Sequence, residues 1–169
     1  TKKHDQLLVY FLTMSETKQQ LITTTKDILN LVPFKVNTST EDANAPIKER
    51  IAPPVEQWLR ALYEAKYIIT DSFHGTVFSI LFNKPFIVYG NKRRGMARFI
   101  SLLNMFGLEK RLIVSITELN EERILEPINW DNVNEILFKK RKESIRFLNT
   151  ALDYIDDKND TTHHPKPIW

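Results

Sequence analysis

The chain has 169 residues, 42% hydrophobic and 27% charged, the mix of an ordinary globular protein with one real core rather than a disordered or fibrous chain. A net charge of +3 is too weak to argue for nucleic acid and suits an anionic small-molecule substrate. The absence of cysteine excludes a disulfide scaffold and thiol catalysis, and no apolar run approaches the ~20 residues of a membrane span.

In chain order, residues 7–12 form a continuous apolar run of strand length, the pattern of a strand buried on both faces. Residues 13–16 supply helix-capping groups, and a helix follows through Leu21, Ile22, Ile28 and Leu29. Three consecutive threonines at 23–25 weaken that helix, because β-branched side chains lose rotamer freedom there. Residues 34–36 read as a short second strand and 37–46 as a polar loop. Pro53 and Pro54 open a helix carrying Val55, Trp58, Leu59 and Leu62 at helical spacing. Residues 67–70 are a β-branched strand, 71–75 a loop, and 76–82 a helix apolar almost all round, hence buried. Asn83, Lys84 and Pro85 stop it, and 86–89 form another buried strand ending at Gly90. A basic loop at 91–95 leads to an amphipathic helix with Met96, Phe99, Ile100, Leu103 and Phe106, closed by Gly107. Residues 112–114 make a last short strand. Asn132 with Glu135 forms a capping box for a long helix through Val133, Leu137, Phe147, Leu148, Leu152 and Ile155, frayed from Asp156 on.

Strands alternate with helices throughout, and the strands are near-continuously apolar. This order predicts a Rossmann-like α/β domain over residues 1–157, a parallel sheet with helices on both faces, and a flexible tail at 158–169. The chain starts without Met, directly before a strand and with no signal peptide, which reads as a domain of a longer protein. In such sheets ligands bind outside the carboxyl ends of the strands.

Two loops on that edge carry candidate chemistry. The first is Asp71, Ser72, Phe73, His74, Gly75 and Thr76, between a strand and a buried helix. Unsatisfied N–H groups and the dipole at a helix N-terminus suit a phosphate or carboxylate, and Gly75 would allow close approach. The helix terminus favours neutral imidazole at His74 while Asp71 favours imidazolium, and the bland reading is that the two satisfy each other. The second loop holds Arg93 and Arg94, with Arg98 just beyond it; each arginine is able to grip an oxyanion through paired hydrogen bonds or simply to face solvent. The basic run at 139–142 lies mid-helix and reads as a solvated face. His4, His163 and His164 have no partner cluster at metal-ligand spacing, so neither a metal nor an organic cofactor is expected.

The run from Ala65 through Asp71, Ser72, Phe73, His74, Gly75 and Thr76 to Ile80, with Lys84, Pro85 and Phe86, closely resembles the C-terminal half of the polysaccharide pyruvyl transferase family. Supporting matches follow at Arg98, Phe99, Gly107, Leu108, Arg111 and in the closing helix at Val133, Leu137, Arg141, Phe147 and Leu152. The resemblance implies a GT-B-like two-domain enzyme of which this chain is the second half, with phosphoenolpyruvate as donor and a glycan or lipid-linked saccharide as acceptor. It implies an N-terminal domain as partner, no nucleic acid, and a cytoplasmic setting at or near the inner face of the membrane, in bacterial capsule or exopolysaccharide synthesis. Many members carry Arg-Leu-His at the first loop, the Arg and His contacting the donor and the His implicated in catalysis. His74 and Phe73 stand at the His and Leu positions, and Ser72 stands where the Arg would be, which leaves Arg93, Arg94, Arg98 or the other half to supply that charge.

The expected function is transfer of the pyruvyl group of phosphoenolpyruvate onto a sugar as a ketal, with His74 catalytic and Asp71, Ser72, Phe73, Gly75, Thr76, Arg93, Arg94 and Arg98 binding substrate. A nucleotide-sugar glycosyltransferase half would share the architecture, and a non-catalytic binding module would share it and lack the chemistry.

Overall fold

A computed structural model describes residues 5–36, 53–90 and 95–159, with side chains as far as residue 152. The loop expected at 37–46, Arg93, Arg94, His4 and the tail residues from 160 on, His163 and His164 included, lie outside the described residues. Within them the order is β1 (Gln6–Tyr10), α1 (Glu16–Leu29), β2 (Val32–Lys35), α2 (Val55–Glu64), β3 (Tyr67–Thr70), α3 (Phe73–Leu81), β4 (Phe86–Tyr89), α4 (Met96–Phe106), β5 (Leu112–Ile113), α5 (Glu121–Leu125) and α6 (Trp130–Asn159). The chain divides into two compact units, Thr1–Trp130 and Asp131–Trp169.

The first unit is built on one five-stranded sheet in the order β2-β1-β3-β4-β5, every neighbouring pair parallel. From β1 the chain moves outward to β2, then crosses back and continues from β3 to β5 on the other side. The order therefore reverses between β1 and β3, which makes the carboxyl ends of these two strands the topological switch point. Right-handed crossovers place α1 on one face and α2 and α3 on the other.

Strand parity bears this out. Leu7, Val9, Tyr67, Ile69, Ile87 and Ile113 form one buried face with Leu21 and Ile22 of α1 and Ile124 of α5. The alternate residues Leu8, Ile68, Phe86 and Val88 are fully buried as well; α2 contacts β1, α3 contacts β3 and β4, and α4 contacts β5. A sheet covered on both faces is what the continuous apolar runs require. On the second face, Trp58 of α2 meets Tyr10 and Phe78 edge-on, with ring centroids 5.5 and 5.1 Å apart.

The threonine run does not interrupt α1. Thr23 Oγ1 donates to the Gln19 carbonyl, and Thr25 is wholly buried, so tertiary packing outweighs the propensity cost. Helix α1 is capped by Ser15 and ends at Asn30 in the left-handed region, at φ 50°. Helix α4 ends at Gly107 with φ 66°, as its sequence predicts.

Three differences from the sequence expectation stand out. Helix α3 begins at Phe73, three residues before 76. A short helix α5, which apolar periodicity did not signal, is capped by Asn120 and buries Ile124; the Arg111 guanidinium, itself buried, donates to the carbonyls of Arg123 and Glu126. Helix α6 begins at Trp130, ahead of the capping box at Asn132, and continues past Asp156 to Asn159.

In the second unit, α6 shows exposed Phe138, Ile145, Phe147, Leu148 and Leu152. Its basic run is a solvated face, with Lys140 paired to Glu143 and Lys142 lying over the Phe138 ring. Among the described residues no helix is long and apolar enough to cross a membrane.

Candidate functional site

The turn from β3 into α3 lies at the switch point, and its polar side chains divide by direction. Thr70, the last residue of β3, is wholly buried. Its hydroxyl donates to the Tyr10 carbonyl at 2.7 Å and accepts from the Ser72 N–H at 3.0 Å, tying the turn to the end of β1. Ser72 caps α3: its Oγ accepts from the Gly75 N–H at 3.4 Å, and its carbonyl accepts from both the N–H and the hydroxyl of Thr76. This cap is why the helix starts before Gly75 rather than after it.

The sequence suggested Ser72, Gly75 and Thr76 as ligand contacts, and the structure turns all three inward. Ser72 and Thr76 are buried with their hydroxyls engaged in the cap. Gly75 faces the sheet rather than the solvent. A Cβ there would stand 2.5 Å from Thr70 Oγ1 and 2.9 Å from Tyr10 Cδ1, so the glycine permits close approach of helix to strand, not of a ligand.

Asp71 does not pair with His74. Its Oδ1 accepts from the Leu12 N–H at 2.7 Å, and its Oδ2 meets Lys18 Nζ at 2.5 Å. The Lys18 ammonium also donates to Thr13 O at 2.6 Å and to Thr13 Oγ1 at 3.2 Å, and lies over the Phe11 ring. Both charged side chains are buried, at 5% and 7% exposure. Sequence reading missed Lys18. One signal was available: a cation in the first turn of a helix opposes the dipole, so Lys18 calls for an anion close by.

The outward residues are Phe73, His74 and Arg98. His74 occupies the second position of α3 and is exposed. The N–H groups of Phe73 and His74 are the first of the helix, where no intrahelical acceptor exists. The Phe73 ring stands 6.3 Å from the His74 ring and 5.8 Å from Phe99. Arg98, in the first turn of α4 after β4, places its guanidinium carbon 5.2 Å from the Phe73 centroid and 5.5 Å from that of Phe99. Phe73 therefore lies between an imidazole and a guanidinium, and both rise from the carboxyl edge of the sheet. A guanidinium resting on aromatic faces keeps its N–H groups for an oxyanion, and its orientation is partly set in advance.

A helix start, an exposed imidazole and a stacked arginine at the carboxyl edge of the sheet define an α/β site suited to an anionic ligand. The family model of polysaccharide pyruvyl transferase matches residues 11–93, and it is through this segment that the chain is similar to that family. The match runs from the end of β1 past β4 and includes Lys18 and the whole Asp71–Thr76 turn; Arg98 lies just beyond it. Neither a curated protein nor a solved structure matches the chain.

Proposed function

We propose that this chain is the donor-holding half of a GT-B-like two-domain enzyme that transfers the pyruvyl group of phosphoenolpyruvate to two hydroxyls of a cell-surface saccharide. The observation that carries the reading is the grouping of His74 and Phe73, on a turn at the switch point inside the family segment, with Arg98 of α4 just beyond that segment.

Phosphoenolpyruvate brings a carboxylate and a phosphate, and both suit a helix start and a guanidinium. Reaction begins when a proton reaches the methylene carbon, which leaves the neighbouring carbon electron-poor. One sugar hydroxyl adds there and gives up its proton. The C–O bond to phosphate then breaks, and the second hydroxyl adds with loss of its proton. The products are a methyl ketal that keeps the carboxylate, and inorganic phosphate. One proton goes onto carbon and two leave the hydroxyls, so the remaining proton departs with phosphate. His74 serves as the group that moves protons. Arg98 takes the place of the arginine that Ser72 lacks, and steadies negative charge on phosphate or carboxylate.

The test is calorimetric titration of the full-length protein with phosphoenolpyruvate and, separately, with UDP at low salt. Saturable binding of phosphoenolpyruvate, weakened by Arg98→Ala, is the expected result. Binding of UDP in its place would move the assignment to glycosyl transfer.

A further inference from the structure

The Lys18–Asp71 pair is buried, fully bonded and unused by the mechanism above. All three ammonium protons of Lys18 have acceptors, Thr13 O, Thr13 Oγ1 and Asp71 Oδ2, and both oxygens of Asp71 have donors. Lys18 has no proton left for a ligand, and each oxygen of Asp71 is already engaged. Nor does stability by itself account for the pair, since well-packed apolar residues commonly replace a buried ion pair at no loss.

The placement of the pair is more informative. Asp71 precedes the Ser72 cap and sits three residues before His74; Lys18 lies in the first turn of α1. The two join the β1–α1 loop to the β3–α3 turn across the switch point. With the Thr70 hydroxyl on Tyr10 O and the Leu12 N–H on Asp71, the turn is held to the end of β1 from two consecutive residues. Lys18 adds a link that reaches α1 itself.

We infer that Lys18 is a positioning residue: through Asp71 it fixes the first turn of α3, and with it the direction of His74. A buried ion pair suits this task because it tolerates only a narrow geometry, whereas apolar contacts slide. The inference rests on the assignment of proton transfer to His74, and deepens it.

The test compares Lys18→Met/Asp71→Asn with wild type in the full-length protein. The double change removes both charges and leaves an acceptor for the Leu12 N–H, so the fold survives. Lys18→Met alone strands a buried carboxylate and serves as the destabilised control. The first readout is the His74 imidazole signal by NMR without substrate, assigned among the four histidines by its loss in His74→Gln. The second is the split between kcat and KM for phosphoenolpyruvate. The inference expects the double variant to melt within a few degrees of wild type, to shift or broaden the His74 signal, and to lose about tenfold or more in kcat with KM changed less than about twofold. An unchanged His74 signal in the folded double variant would overturn it, as would a loss of activity that tracks melting temperature across the two variants. Because the imidazole signal is read without donor, a failure of the pyruvyl-transfer assignment shows up in the kinetic arm alone.

Discussion

The inner and outer sides of the β3–α3 turn differ sharply although they share six consecutive residues. On the inner side Asp71, Ser72, Gly75 and Thr76 are engaged with Lys18, Leu12, Thr70, Tyr10 and one another. On the outer side the rings of Phe73 and His74 meet each other, and Phe73 meets Phe99 and Arg98 of the first turn of α4. A polar residue in a motif is therefore not by itself a ligand contact. Most of this motif's polarity builds the turn, and the chemistry proposed above rests on the two residues that the turn presents and on the arginine stacked on one of them.

Substitutions on the two sides should separate accordingly. The largest effect on stability is expected on the inner side. Gly75→Ala forces a methyl group to 2.5 Å from a Thr70 hydroxyl that is itself held by two hydrogen bonds. Overpacking of this kind costs about 1–3 kcal/mol, visible as a lower urea midpoint. A midpoint equal to wild type would show that the inner side has slack. Arg98→Ala, on the outer side, should leave the midpoint within about 0.5 kcal/mol of wild type. It should weaken phosphoenolpyruvate roughly tenfold or more, the worth of a hydrogen bond to a charged group. Arg98→Lys should recover only part of this, because the ammonium lacks the planar fork.

The smallest effect at pH 7 lies away from the turn. Burial pushes the Tyr67 phenol up from 10.0 to about 12, against the pull of the nearby Arg111 charge. The folded state thus holds this proton more tightly than the unfolded one. Stability from this source is intact below pH 10 and is lost as pH rises from 10 through about 12. Tyr67→Phe should remove that alkaline slope and leave stability at pH 7 nearly unchanged, as denaturation across the range would reveal.

Much of the scaffold was legible in the sequence for simple reasons. Continuous apolar runs marked strands buried on both faces, and their alternation with helices marked a parallel sheet. The start of α3 was not legible, because glycine and histidine are weak helix formers and argued for a loop; the space that demands Gly75 is created by Tyr10 and Thr70, which the local pattern does not reveal. Lys18 was missed because its partner lies 53 residues away, and only the fold brings the two together. That Arg98 shares an edge with His74 followed from strand order, whereas its stacking on Phe73 required the observed approach of α3 and α4.

The most direct measurement is the turnover of His74→Ala in the full-length protein, followed as phosphate released from phosphoenolpyruvate in the presence of cell-surface saccharide. An exposed histidine adds little to stability, so the variant should fold as wild type does. Turnover should fall by at least ~100-fold, the contribution of a positioned general acid or base. Turnover close to wild type in the folded variant would contradict the assignment of proton transfer to His74.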